Sequence, residues 1–245
     1  MRRFLLSICA LTLVAACAPE ARNQTSPVGE SLLDVASPDE VAQELGLEEA
    51  TELSVVPEMP MNTMSLEQHN RLAKTDLTQL FPVVIVVNKA SKGPTAQTMK
   101  VYHRGVLAYT FAVSTGREQN ELAKSGRRYF SATPVGWFAP TRTYEKYFSN
   151  TWKAWMNNSV FFNGGIATHA TTPDHYKELG RRASGGCVRL HPTNAKIVYD
   201  LILAEGKGEV PVFNRAGGLS TGLFGKIKTQ RSWNTLIIVE DNSAQ

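Results

Sequence analysis

The apolar residues of this chain come mostly in runs too short for helices. Residues 83–87 form one such run, brief enough for a buried strand. Residues 98–103 and 106–114 flank Arg104-Gly105, a compact turn, and read as a hairpin. Residues 129–133 and 135–138 are short strands around Pro134, and 210–213 is another. Residues 236–239 read as a strand added near the end. Short strands punctuated by Gly and Pro predict a mainly β fold, a sandwich or barrel, with short helices. A hydrophobic fraction of 42% suffices for its core. Ser37-Pro38-Asp39-Glu40 is a helix start, with Val41, Leu45 and Leu47 as a short apolar side. Ser65 caps a second helix, for which Leu66, Leu72, Leu77 and Leu80 offer apolar contacts. Trp152, Trp155 and Met156 are expected as packing residues of a short helix. Pro192 opens the clearest helix, with Ile197, Val198, Leu201 and Ile202 on one face and Gly206 as its stop.

The first sixteen residues read as an address rather than as fold. Arg2 and Arg3 precede a stretch, 4–16, that is apolar apart from Ser7 and Thr12. It is too short to span a bilayer, which takes about 20 residues. It ends in Val14-Ala15-Ala16-Cys17, which resembles a lipoprotein lipobox, with Cys17 as the lipidation site; ordinary secretion with cleavage nearby is the alternative. Ala18 stands where an aspartate is associated with inner-membrane retention, so the resemblance implies an outer-membrane anchor facing the periplasm. Several acyl chains on one cysteine would hold firmly. Of the three cysteines, Cys9 leaves with the signal and Cys17 carries lipid, so Cys187 is the one free thiol and no internal disulfide can form. A thiol kept reduced in an oxidising envelope suits a nucleophile better than a packing residue.

Cys187 lies in Ser184-Gly185-Gly186-Cys187-Val188-Arg189-Leu190, and His169 stands eighteen residues before it. The thiolate is the reactive form, and a nearby imidazole raises its fraction. Gly185 and Gly186 let backbone N–H groups approach a substrate, and those of Gly186 and Cys187 are the candidate oxyanion donors. This pattern resembles the signature of the L,D-transpeptidase (YkuD-type) catalytic domain. The resemblance extends through Val113-Ser114-Thr115-Gly116-Arg117, Thr133-Pro134-Val135-Gly136-Trp137-Phe138 and Phe162-Asn163-Gly164-Gly165-Ile166-Ala167, covering residues 81–214. It implies the family's β-sandwich or barrel-like fold and acyl transfer on peptidoglycan stem peptides through a cysteinyl thioester. His169 would then be the base, and Ser184 would order the loop or the histidine. Arg189 has two roles open, pairing with a stem carboxylate or locking the loop. The Ala170 carbonyl would orient the imidazole. Ala170 replaces the more usual glycine, adding a methyl near the site. Gly185 stands where a second histidine is often found, removing a polar group from the pocket.

Charge divides the chain. Residues 18–80 carry 12 acidic and 3 basic residues, net −9, whereas residues 81 onward carry 21 basic and 10 acidic, net +11. The expected organisation is a signal peptide (1–16), an acidic tether with short helices and little core (17–80), the catalytic domain (81–214) and a C-terminal extension (215–245). The acidic arm is expected to fold back over the basic domain at low salt. No zinc spacing, basic–aromatic repeat or helix-turn-helix pattern supports nucleic acid as a partner. His175 and His191 flank the reactive segment, but their spacing fits no ligand motif, so no metal or cofactor is expected. His69 and His103 read as surface or strand residues. The acyl acceptor stays open at this point: a second stem, an envelope protein, or water, which would make the enzyme a carboxypeptidase or hydrolase. A non-catalytic wall-binding lipoprotein is the alternative of another class, and retention of both His169 and Cys187 argues against it.

Overall fold

A computed structural model of the chain describes residues 37–47, 65–73, 75–214 and 218–242. The expected signal peptide, the Cys17 lipidation site and much of the acidic arm lie outside the described residues. In chain order the helices are α1 (Pro38–Leu45), α2 (Leu66–Ala73), α3 (Leu77–Leu80) and α4 (Pro192–Glu205). The strands are β1 (Val83–Asn88), β2 (Thr98–His103), β3 (Val106–Ala112), β4 (Asn120–Leu122), β5 (Arg128–Phe130), β6 (Gly136–Phe138), β7 (Arg142–Tyr144), β8 (Phe148–Ser149), β9 (Ala154–Trp155), β10 (Ser159–Asn163), β11 (Ile166–Ala170), β12 (Val188–Leu190), β13 (Lys207–Pro211), β14 (Thr229–Trp233) and β15 (Thr235–Glu240). The fold is mainly β with short helices, as the punctuation of the sequence predicts.

Two sheets build the body. One has the order β3-β2-β1-β15-β6 and the other β12-β11-β10-β7. Val83, Ile85 and Val87 of β1 share one buried cluster with Val160 and Phe162 of β10, Val188 and Leu190 of β12, and Val198 and Ile202 of α4. Val84 and Val86 point the other way, to Leu66, Leu77 and Trp137. Both faces of β1 are therefore covered, which is why it reads as an unbroken apolar run. The Arg104-Gly105 hairpin forms as expected, both residues taking positive φ (49° and 84°), the backbone that suits a two-residue turn between twisted strands.

The strand expected at 236–239 forms as β15, and it lies inside the first sheet, parallel to β1 and antiparallel to β6. Several expectations are corrected. Trp152, Trp155 and Met156 do not form a helix. Lys153 and Asn158 adopt positive φ (52° and 53°), and Phe148 and Ser149 pair with Trp155 and Ala154 as a small hairpin. Trp152 and Met156 are buried, whereas Trp155 is exposed. The strand expected at 210–213 begins earlier, as β13, paired with β14. Leu72 is exposed. His69, expected near the surface, is buried in α2 with its ring edge-on to Trp137 at 4.6 Å.

The described part of the acidic arm is no spacer. α1 starts where expected: the Ser37 N–H donates to the Glu40 carboxylate at 2.6 Å, and Pro38 takes the first helical position. Gly46 ends it with φ 63°, and the Leu47 N–H returns to the Ala42 carbonyl at 2.8 Å. Val41 joins Trp152, Met156, Phe161, Ala167 and Cys187 in a buried cluster on the outer side of the second sheet. Burying a side chain such as Val41 stabilises the docked helix by about 1.5–3 kcal/mol.

Candidate active site

Strand alternation decides where the chemistry faces. β11 and β12 run parallel with Thr168 opposite Val188, His169 opposite Arg189 and Ala170 opposite Leu190. Ile166, Ala170, Val188 and Leu190 enter the core between the sheets. The intervening residues, Ala167, His169, Cys187 and Arg189, therefore share the opposite face. Ala170 is thus corrected: its methyl points into the core, away from the imidazole. Its carbonyl accepts the hydrogen bond from His169 Nδ1 at 2.8 Å.

The loop carrying the thiol is pinned by residues from the separated motifs. Ser114 and Arg189 exchange backbone hydrogen bonds of 3.0 and 2.9 Å. The Arg117 N–H donates to the Ser184 carbonyl at 3.0 Å, and its guanidinium to the Ala183 carbonyl at 2.9 Å. Arg117 is itself held by Glu121. The Thr133 hydroxyl donates to the Gly186 carbonyl at 2.6 Å and accepts the Gly116 N–H at 2.9 Å. A Cβ on Gly116 would lie 2.3 Å from the Ser131 carbonyl oxygen, so only glycine permits this close approach. Within the loop, the Ser184 hydroxyl donates to the Cys187 carbonyl at 2.5 Å and accepts the Gly186 N–H at 3.1 Å. That second bond corrects the expected oxyanion pair: the Gly186 N–H is engaged by Ser184, which leaves the Cys187 N–H of the two.

Cys187 and His169 are both 0% exposed. The thiol donates to the Gly165 carbonyl at 3.7 Å. Burial pushes it up to about 11, against the smaller opposing pull of an Ala167 backbone hydrogen bond and the Arg189 charge. Burial pushes the imidazole down to about 4; the Ala170 carbonyl opposes this and the Arg189 charge adds to it. Both groups are therefore neutral near pH 7, and His169 Nε2 has no hydrogen-bond partner among the described residues. Arg189, 1% exposed, gives one guanidinium nitrogen to Glu178 at 2.9 Å, while its Nε and Nη2 make no hydrogen bond among the described residues. Burial lowers the pKa of its guanidinium, and the Glu178 carboxylate resists that. Where a Gly185 side chain would project, the Tyr129 hydroxyl and the Trp152 ring lie 3.3 and 3.7 Å from the Cβ position.

Sequence reasoning missed the groups that close the site. Pro38 lies over the loop, its Cγ 3.1 Å from a Cβ built on Gly186 and its carbonyl oxygen 1.9 Å from one built on Gly165. Glu44, one acid among many in the arm, accepts from the Tyr147 hydroxyl (2.8 Å), the Ser149 hydroxyl (3.0 Å), the Asn150 N–H (2.9 Å) and the Thr151 N–H (2.9 Å). Nothing in the sequence distinguishes Glu44 from its neighbours. Tyr147 stacks on Tyr144 at 5.1 Å, and both stand edge-on to Phe161. His175 pairs with Glu178 at 2.9 Å. No group of three or more His, Cys, Asp or Glu among the described residues is placed to hold a metal.

The chain was compared with known proteins. No curated protein matches it. Solved structures with a similar fold include an L,D-transpeptidase from Mycobacterium smegmatis (18% identity, 65% of this chain and 59% of that chain, TM-score 0.42). Another is the L,D-transpeptidase from Xylanimonas cellulosilytica (19% identity, 65% and 60%, TM-score 0.44). A third is L,D-transpeptidase 3 from Mycobacterium tuberculosis with a faropenem-derived adduct (14% identity, 66% and 61%, TM-score 0.41). The chain thus spans less than two thirds of each. The model of the YkuD family, the L,D-transpeptidase catalytic domain, matches residues 82–213, more than half of the sequence. By that match the chain belongs to the L,D-transpeptidase catalytic domain family.

Proposed function

We propose that this protein is a peptidoglycan L,D-transpeptidase working through a thioester on Cys187. The observation that carries the reading is the imidazole of His169. Its Nδ1 donates to the Ala170 carbonyl, which fixes the tautomer and leaves the lone pair on Nε2, on the face that carries the thiol. Nε2 takes the thiol proton as sulfur attacks the carbonyl of the L-residue joined to the terminal D-amino acid of a donor stem. The Cys187 N–H stabilises the developing oxyanion. The C–N bond then breaks, the imidazolium returns its proton to the leaving amine, and the acyl group stays on sulfur. An amine on a second stem or on an envelope protein attacks the thioester, gives its proton to His169 and releases the thiol. Ser184 shapes the loop through its two hydrogen bonds. Arg189 serves both of its expected roles, with one nitrogen locking Glu178 and the other two offered to a substrate carboxylate.

The basic n-region, the short apolar stretch and the small residues before Cys17 support a lipid anchor there, with the enzyme in the periplasm and held at the outer membrane. The test is muropeptide analysis after incubation with purified protein, alongside intact mass after exposure to a carbapenem. Dimer formation and an adduct on Cys187, both lost in Cys187→Ala, are expected. Trimmed stems without dimers would make water the acceptor. Full turnover in Cys187→Ala would end the reading.

A further inference from the structure

We infer that α1 is an intramolecular occupant of the substrate groove, with the Glu44 carboxylate holding the place of a carboxylate on the incoming stem peptide. The inference rests on Cys187 being the nucleophile and adds how access to it is governed.

Three observations carry it. First, the thiol and the imidazole are sealed, and the seal is made by residues far away in sequence: Pro38 over Gly165 and Gly186, and Val41 in the cluster around the sulfur. No substrate carbonyl can reach Cys187 while α1 is seated. Second, the contact is specific. Besides the Glu44 bonds, Asp39 pairs with Arg127 at 3.0 Å, and the Arg142 guanidinium donates to the Leu45 carbonyl at 2.6 Å. Third, the Glu44 cradle belongs to the body. Two consecutive backbone N–H groups, Asn150 and Thr151, and two hydroxyls, Tyr147 and Ser149, converge on one carboxylate, beside the Tyr144–Tyr147 stack. Burial alone would raise the Glu44 pKa, but hydrogen bonds from Thr151, Asn150 and Tyr147 outweigh it and lower it, as an anion-binding site does. A converging set of backbone N–H groups and hydroxyls left open would favour an anion in the same place. Stem peptides carry free carboxylates. A stem that delivers one to this cradle replaces Glu44 and lays its backbone where α1 now lies, so binding and unsealing are one event. The strap then acts as a competitive inhibitor at high effective concentration, yielding to polymeric wall that engages several subsites at once.

The experiment uses the full chain. Alkylation of Cys187 by iodoacetamide is followed by peptide mass in wild type, Glu44→Gln and Asp39→Asn/Glu44→Ala. Both variants should react at least tenfold faster than wild type, and a synthetic peptide of residues 37–47 added in trans should slow the double variant again, whereas a scrambled peptide should not. Equal alkylation rates, or a peptide without effect, overturn the strap. In the double variant, amidating the free carboxylates of a stem tetrapeptide should raise KM at least fivefold, and adding Tyr147→Phe, which removes a cradle hydroxyl and leaves Arg189 in place, should shrink that rise. An unchanged KM on amidation, or a rise that Tyr147→Phe leaves as it was, overturns the carboxylate subsite. Faster alkylation in variants that never transfer an acyl group would refute the proposed activity and leave the strap standing. Wild type turning over stem peptides as fast as the double variant would refute the strap and leave the activity standing.

Discussion

Gly165→Ala separates the seal from the chemistry. A Cβ built on Gly165 lies 1.9 Å from the Pro38 carbonyl oxygen and 2.9 Å from the Ala42 nitrogen, both backbone atoms of the arm. No rotamer relieves such a contact, so α1 must leave its seat. The Gly165 backbone needs no left-handed conformation, so strand β11 can begin as before. The consequence is read on the thiol. Burial holds Cys187 at about 11; a solvated cysteine titrates at about 8.5. Moving between the two raises the thiolate fraction near neutral pH by roughly 300-fold. Intrinsic nucleophilicity falls with pKa at a Brønsted slope of about 0.4–0.5, returning roughly a factor of 10 to 18. Alkylation of Cys187 in Gly165→Ala should therefore run roughly 20- to 30-fold faster from the thiolate change alone, and unblocked access adds to that. The assay is the pH dependence of iodoacetamide modification, scored by mass on the Cys187 peptide. The inflection should move down from about 11 toward the ordinary cysteine range. A folded Gly165→Ala protein whose rate and inflection match wild type would refute the view that α1 sets the reactivity of this thiol.

Other outcomes follow from the buried charges. In Arg189→Met, Glu178 loses the guanidinium and keeps only His175; breaking a buried pair costs about 3–5 kcal/mol, and the remaining His175 contact and partial exposure of Glu178 favour the lower end. That is a fall in Tm of roughly 6–12 °C by thermal denaturation; a fall under about 2 °C, with KM raised, would make Arg189 a substrate-binding group alone. For His169, the sign follows from its depressed pKa. Its stabilising contribution is complete above the unfolded value near 6.5 and is lost as pH falls toward about 4, by up to about 3 kcal/mol. Urea midpoints should drop across that window in wild type and drop less in His169→Asn; parallel curves would mean the imidazole is not buried neutral.

Much of the fold was legible because it depends on local signals. β1 announced itself as a short apolar run, Arg104-Gly105 as a two-residue turn, Pro192 and Gly206 as the ends of α4, and Ser37-Pro38 as the start of α1. Cys187 and His169 were singled out by local motifs, and the structure sets both on the same face of β11 and β12. What escaped depends on partners distant in sequence. Trp152, Trp155 and Met156 carry helical spacing, yet positive φ at Lys153 and Asn158 and pairing with Phe148 make a hairpin of them. Glu44 has no local mark; its importance comes from donors at 147–151. Ala170 was misplaced although period-two alternation sends it away from its neighbour His169, a reading the sequence itself permitted.

The two levels meet in β11 and β12. If β11 slipped by one residue, His169 would enter the core between the sheets and Ala170 would take the outer face; a slip of β12 would do the same to Cys187 and Val188. Ile166, Ala170, Val188 and Leu190 prevent this by their burial, so apolar residues with no part in the chemistry fix where the chemistry faces. The outer face around the sulfur is itself apolar, lined by Trp152, Met156, Phe161 and Ala167. Leaving such a surface open to water is unfavourable. A cover is thus built into the composition of the site: α1 supplies it in this structure, and in the proposed reaction a stem peptide would take its place. Of the two, only the peptide would bring a carbonyl to the sulfur, as the proposed roles of His169 and Cys187 require.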